Sequence, residues 1–471
     1  LDAVGFADCV LTAACSEGAT ACDGITALRT CVGGSWLSRS CAAGRCIQTP
    51  LGDDCNAVAA TRTFSGQVRY EARGPGVDRR NWDSRFSAEA VGFLVLVVRG
   101  AQVIDVQRTD DAGRFSVQIP VTPSVDDRLL VTALGVDPVT RRVSYAVADP
   151  RLGAGERNIR DTGAATLDPR LWGWSWNVAG LPGSLLITEA MGSGAARVFD
   201  YLRYSYSQMR DFFGSSGNSL MVWVGLGTSW SCGACFSTVP VRAFDLPFES
   251  QVWLDGAVND QGYWSDAVTA HEFGHWVMAS YGRSPGEGGS HTLGVPTFPG
   301  QAWSEGWATF VSSDIRNNPE YVDRQDGSMF WFNIQTRRYS SGGAWNSPAP
   351  TRLLDRVDEN HVASMLWTLS DGNVPPIYAA LGADRARRAP FGRCYSRHVW
   401  QRSGSTPINV CATSESAPHF ADYLDSLSCG GFSRAQIRTA IGAYPYPVDS
   451  PYCTAGVRPS TCAASVYPRC R

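Results

Sequence analysis

His271-Glu272-Phe273-Gly274-His275 spells H-E-x-x-H inside the run WSDAVTAHEFGHWVMASYG over residues 264–282. Positions i and i+4 of an α-helix stand one turn apart on the same face, so the two imidazoles can share one Zn²⁺ at about 2.0–2.1 Å. Glu272, next to the first histidine, is better placed to hold a reacting water than to ligate. The surroundings predict a helix. Ser265 or Asp266 caps it, Ala267, Val268, Phe273, Val277 and Met278 form its apolar side, and Gly282 ends it. The competing reading is two histidines on an ordinary core or surface helix. A zinc hydrolase also requires a third protein ligand and an open fourth position, which makes the motif checkable.

The other constraints are broad. A chain of 471 residues is expected to form two to four domains. Its net charge of −3 argues against nucleic acid as the main partner. All the basic residues are arginine, with no lysine anywhere. Fifteen clustered cysteines point to an oxidising compartment. The longest apolar run, near Val91–Val98, is far too short to span a bilayer. The absence of Met at Leu1 reads as the mark of a removed signal peptide, and the expectation is a secreted monomer.

Four domains are expected in chain order. Residues 1–60 hold seven cysteines and few large apolar side chains, which predicts a disulfide-stapled module; a zinc ribbon lacks its C-x₂-C pairs. Residues 61–155 alternate short β-rich runs with Gly, Pro and Asp turns, the pattern of an all-β sandwich. Residues 156–447 mix helical and strand signals and predict an α+β domain with a cleft, with helical stretches at 301–315, 360–370 and 418–443. Residues 448–471 read as a disulfide-tied tail.

Two residues after His275 are candidate third ligands. Glu305 lies in Ala302-Trp-Ser-Glu-Gly-Trp-Ala-Thr-Phe310, a predicted helix whose small residues let it approach the first. His291 lies in the glycine-rich run Gly288-Gly-Ser-His-Thr-Leu-Gly294. Glu305 is preferred because a helix positions a ligand better than such a loop. The bland reading of Glu305 is a buried glutamate paired with an arginine. That of His291 is a loop histidine, with substrate contact as a further alternative.

HEFGH followed by SEGWATF resembles the gluzincin metallopeptidases, in which a glutamate on a later helix is the third zinc ligand. Glu305-Gly306-Trp307-Ala308-Thr309 is similar to the aminopeptidase N-type form of that helix, and Ser250–Gly256 is similar to thermolysin. The resemblance covers roughly 219–372 and implies a zincin-type fold with His271, His275 and Glu305 on the metal and Glu272 as general base. It also implies a transition-state donor on the run His361–Leu369. His361 is the candidate, oriented by Asp355 or Asp358, with a histidine near a helix start as the equal alternative. Ala234 and Phe236, beside Cys232-Gly-Ala-Cys235, would line the cleft and pair with an extended substrate.

The departures are specific. Twenty-nine residues separate His275 from Glu305, Thr309 stands where thermolysin has an aspartate, and no G-A-M-E-N exopeptidase motif is present. The phrase Thr109–Pro120 resembles a transthyretin-like module, which implies a fold but no chemistry. Such a domain would bind another protein or a surface glycan. Asp255, Asn259, Asp260 and Asp266 are a candidate Ca²⁺ set beside a solvated-turn reading.

The expected function is therefore a secreted zinc endopeptidase acting on protein or peptide substrates. The alternatives are a non-catalytic adhesion protein with a structural zinc, or an exopeptidase or glycoprotein-specific peptidase.

Overall fold

The computed structural model describes residues 15, 19–23, 27–41, 46–48, 53–55, 60–100, 102–137, 142–149, 171–243, 246–285, 289, 291–342, 345, 357–383, 398–403, 406–411, 419–442 and 444. The chain forms two compact units. One comprises Leu1–Tyr70, Glu89–Val143 and Leu152–Ile187, the other Glu71–Ala88, Ser144–Arg151 and Thr188–Arg471.

In the first unit, strands Thr20–Asp23, Ala27–Val32 and Ser35–Ser40 form an antiparallel sheet. Gly33 and Gly34 both adopt positive φ, 58° and 76°, as a two-residue hairpin turn requires. Among the described residues, Leu28, Ile47 and half-cystines are the buried apolar side chains there, and the disulfides Cys15–Cys31, Cys22–Cys46 and Cys41–Cys55 staple them. Six of the seven N-terminal cysteines are thus paired; Cys9 lies outside the described residues.

Two larger sheets follow in the same unit. Arg114–Pro120 pairs antiparallel with Thr61–Gly74, and Ser184–Ile187 adds parallel to that strand. The other sheet runs Gly173–Asn177, Asp127–Thr132, Leu94–Arg99, Gln102–Arg108, antiparallel throughout. Along Arg114–Pro120 the apolar Phe115, Val117 and Ile119 are buried while Arg114 and Ser116 are exposed, the period-2 pattern of a sheet with one face on a core. Tyr70, Phe93 and Trp174 pack through that core as tilted ring pairs at centroid spacings of 6.5 and 6.0 Å.

The second unit is built on strand β1 (Val143–Ala148), β2 (Leu220–Val224), β3 (Cys235–Ser237) and β4 (Ser250–Leu254). β1, β2 and β4 are parallel, and β3 runs antiparallel at the edge beside β4. Every residue of β2 is buried, which is why it reads as an unbroken apolar run. The sequence boundary at 155/156 is crossed by this sheet. β1 belongs with β2, because a short run of buried β-formers looks the same in a sandwich and in a parallel sheet. Conversely, Gly173–Asn177 and Ser184–Ile187 belong to the first unit's sheets.

Among the described residues the unit also holds helices α1 (Ser193–Phe213), α2 (Asp266–Tyr281), α3 (Pro299–Ile315), α4 (Glu359–Ser370), α5 (Pro375–Gly382), α6 (Phe420–Cys429) and α7 (Arg434–Ile441), and an antiparallel sheet of Glu320–Gln325, Ser328–Asn333 and Arg338–Tyr339. Ser265 caps α2 by accepting from the Val268 amide, as its sequence predicts, and Pro299 opens α3 at a position where a missing N–H costs nothing. The expected helix 418–443 is two helices, broken at Gly430-Gly431, with Gly431 at φ 112°. Sequence reading missed α5. A Cβ on Gly274 of α2 would stand 2.7 Å from the Ala308 Cα of α3, so the two helices meet backbone to backbone. The expected tail at 448–471 lies outside the described residues. Among those described, no helix is long and apolar enough to cross a membrane.

Candidate metal centre

The close approach of α2 and α3 gathers three side chains at one point. His271 and His275 project from α2 and Glu305 from α3, and Oε2 of Glu305 lies 3.1 Å from Nε2 of each histidine. Among the described residues, these three form the one group of His, Cys, Asp or Glu donors converging within 4.8 Å. The donor set, two imidazoles and a carboxylate, is the one that three-ligand hydrolytic zinc sites use. Behind the rings, Nδ1 of His271 lies 3.1 Å from Oγ1 of Thr309, and Nδ1 of His275 lies 3.1 Å from Oγ of Ser304.

Charge is concentrated here. Burial alone would raise Glu305, but His275 and His291 outweigh it and hold its carboxyl well below the usual range. His275 is raised because Glu305 more than offsets the burial that disfavours a charged ring. Glu272 is buried, and desolvation raises its pKa against the pull of His271 and His275. Its Oε2 has no hydrogen-bond partner among the described residues. A buried, unpartnered carboxylate oxygen is costly unless something at the site uses it. These residues fit a divalent zinc ion.

The other expected residues are distributed unevenly. His291 is brought to the centre, with Nε2 3.6 Å from Oε2 of Glu305 and Nδ1 2.8 Å from Oε2 of Glu359. Burial works against its charged form, yet Glu359 and Glu305 carry its pKa up to about 10. Phe236, in edge strand β3, stacks on His275 with centroids 6.0 Å apart and planes 20° apart. Ala234 is half-buried immediately before that strand, and Cys232 and Cys235 are joined in a disulfide.

His361 is placed differently from the expectation. Its buried ring lies 5.8 Å from Trp345 and 6.4 Å from Tyr444. Burial, aided by Arg337, pushes its pKa down to about 4. The reason is helical phase. Glu359 and His361 are two residues apart on α4, so they face opposite sides, and Glu359 takes the side toward the centre. Asp358 caps that helix by accepting from the Asn360 amide at 2.7 Å, and Asp355 lies outside the described residues.

Three of the four candidate Ca²⁺ residues have protein partners. Asp255 accepts from the Ala257 amide at 2.7 Å, Asp260 from the Asp326 amide at 2.7 Å, and Asp266 pairs with Arg197. His419 is buried at the start of α6, consistent with a structural role, while the side chain of His398 lies outside those described.

Sequence reading missed two neighbours of the centre, Glu359 and Tyr321. The Tyr321 ring meets His271 edge-on at 5.9 Å. Glu359 was legible only as an acidic residue in a helix's first turn, and nothing in the pattern around Tyr321 marks it.

Residues 236–380 match the Mycolysin C-terminal domain. This is a domain found in zinc metallopeptidases. The mycolysin match takes in the H-E-x-x-H helix, the Glu305 helix, His291 and Glu359, so every residue gathered at the centre lies inside it. A comparison of the chain with curated proteins found no match.

Proposed function

We propose that this chain is a secreted zinc-dependent endopeptidase with its active centre at His271, His275 and Glu305. The observation that carries the reading is the convergence of three donors from two helices beside a buried carboxylate, Glu272, with an oxygen left free. When bound, zinc supplies Lewis acidity, acidifying water at its open position and polarising the scissile carbonyl. Glu272 takes the proton of the attacking water and passes it to the leaving amine. His291, held by Glu359 through Nδ1, directs Nε2–H at the carbonyl oxygen as negative charge grows there, the role expected of His361.

Edge strand β3 supports an extended substrate. Among the described residues it is the last strand of its sheet, paired with β4, and β-addition of a peptide would continue that sheet. Phe236 anchors that strand against His275. A path along an open edge suits cleavage within a chain better than removal of a terminal residue. The disulfides and the mycolysin match support an extracellular protein. Residues 1–60 as a disulfide module and the following β-domain, transthyretin-like in type, are read as appendages to the peptidase, able to bind another protein or a surface glycan.

The test is cleavage of an unfolded protein such as casein by wild type and by Glu272→Gln, with zinc content measured in both. Stoichiometric zinc in both and a loss of cleavage by about 10²–10⁴-fold in the variant support the reading. Cleavage undiminished in the variant contradicts Glu272 as the base. Zinc in both with no cleavage by either would favour a structural metal.

A further inference from the structure

Three residues of α3 serve the centre at once. Glu305 presents its carboxylate to both Nε2 atoms, Ser304 stands behind His275, and Thr309 behind His271, each at 3.1 Å. Helix geometry explains the set. Glu305 and Thr309 lie one turn apart on a face, and Ser304, one position earlier, is turned about 100° to reach the second ring. Both hydroxyl residues are buried, at 7% and 5% exposure, so water does not readily replace them.

An imidazole that gives its Nε2 lone pair to a cation keeps its one proton on Nδ1, and a buried N–H there needs an acceptor. Among the described residues, neither Nδ1 has a carboxylate partner; each has a hydroxyl. The distinction matters electrostatically. A carboxylate behind the ring makes the imidazole more basic and adds a full negative charge near the cation, whereas a hydroxyl fixes orientation and adds none.

We propose that Ser304 and Thr309 are positioning residues that set the zinc affinity of this site. They lock both rings in the tautomer that ligates through Nε2. Because they are neutral, they leave the metal held less tightly than carboxylates in the same places would. The inference rests on the reading of His271, His275 and Glu305 as ligands.

The experiment measures zinc affinity of the full chain by competition with a chelator of known strength, independent of any cleavage assay. Ser304→Ala and Thr309→Val are each expected to weaken zinc by about 10–100-fold, with Thr309→Ser within about threefold of wild type. Thr309→Asp is expected to bind zinc more tightly than wild type. Unfolding temperatures of the zinc-free proteins separate loss of the acceptor from loss of the fold. Affinities of Ser304→Ala and Thr309→Val equal to wild type would overturn the positioning role while leaving the ligands standing. A weaker site in a folded Thr309→Asp protein would overturn the claim about neutrality. No zinc in the wild type itself would sink the ligand assignment, and this proposal with it.

Discussion

Nδ1 of His291 lies 2.8 Å from Oε2 of Glu359, tying a glycine-rich loop to the first turn of α4 and leaving the ring's other nitrogen 3.6 Å from Glu305. Glu359 is buried, so its charge is little screened, and the pair holds the imidazole in one orientation. The ion pair ties this loop histidine to a helix.

His291→Ala is accordingly predicted to lower kcat by about 10²–10³-fold, the usual cost of removing one transition-state donor, without loss of zinc. Glu359→Gln keeps the shape but not the charge and is expected to give a smaller loss of kcat. Steady-state kinetics with metal analysis check both. If His291→Ala keeps full kcat, the donor role fails.

A second prediction concerns the helix contact that brings the ligands together. Alanine at Gly274 puts its Cβ 2.7 Å from Cα and 2.9 Å from the carbonyl oxygen of Ala308, both backbone atoms that cannot swing aside. Gly274→Ala should destabilise the fold by about 1–3 kcal/mol and weaken zinc binding, since Ala308 lies three residues from Glu305. Denaturant midpoints and metal titration test this, and a variant as stable as wild type would show that the helices are not in backbone contact.

Asp323, on the strand Glu320–Gln325, gives a pH signature from a residue that is not one of the three ligands. Burial raises its pKa from 3.8 to about 7, against the opposing hydrogen bond from the Arg324 amide. The folded protein therefore holds a proton that the unfolded chain has released between those values. The stability this contributes is complete below about pH 4 and is lost as pH rises through about 7, with a slope approaching about 1.4 kcal/mol per pH unit. Asp323→Asn removes that slope, so the stability difference between variant and wild type should grow from pH 4 to pH 7. A difference constant across this range would contradict the assignment.

Periodicity accounts for most of what could be read from the sequence. His271, His275 and Glu305 were legible because helical spacing converts sequence distance into direction, and the small residues Gly274 and Ala308 indicate where two helices touch. In the proposed mechanism His291 takes the role first given to His361, because a helix position specifies a direction only once its phase is known, and a glycine-rich loop has no phase. Val143–Ala148 was placed in the sandwich but pairs parallel with Leu220–Val224, because both sheets ask for the same β-branched and aromatic residues. The disulfide module was legible as cysteine density, but its pairing came only from the structure.

The most direct measurement is anomalous X-ray diffraction at the zinc absorption edge from crystals of the full chain. The account predicts one peak, about 2.0–2.1 Å from Nε2 of His271, Nε2 of His275 and a carboxylate oxygen of Glu305, with no fourth protein ligand and Glu272 facing the open side. A peak enclosed by four protein ligands, or none between these three residues, would contradict it.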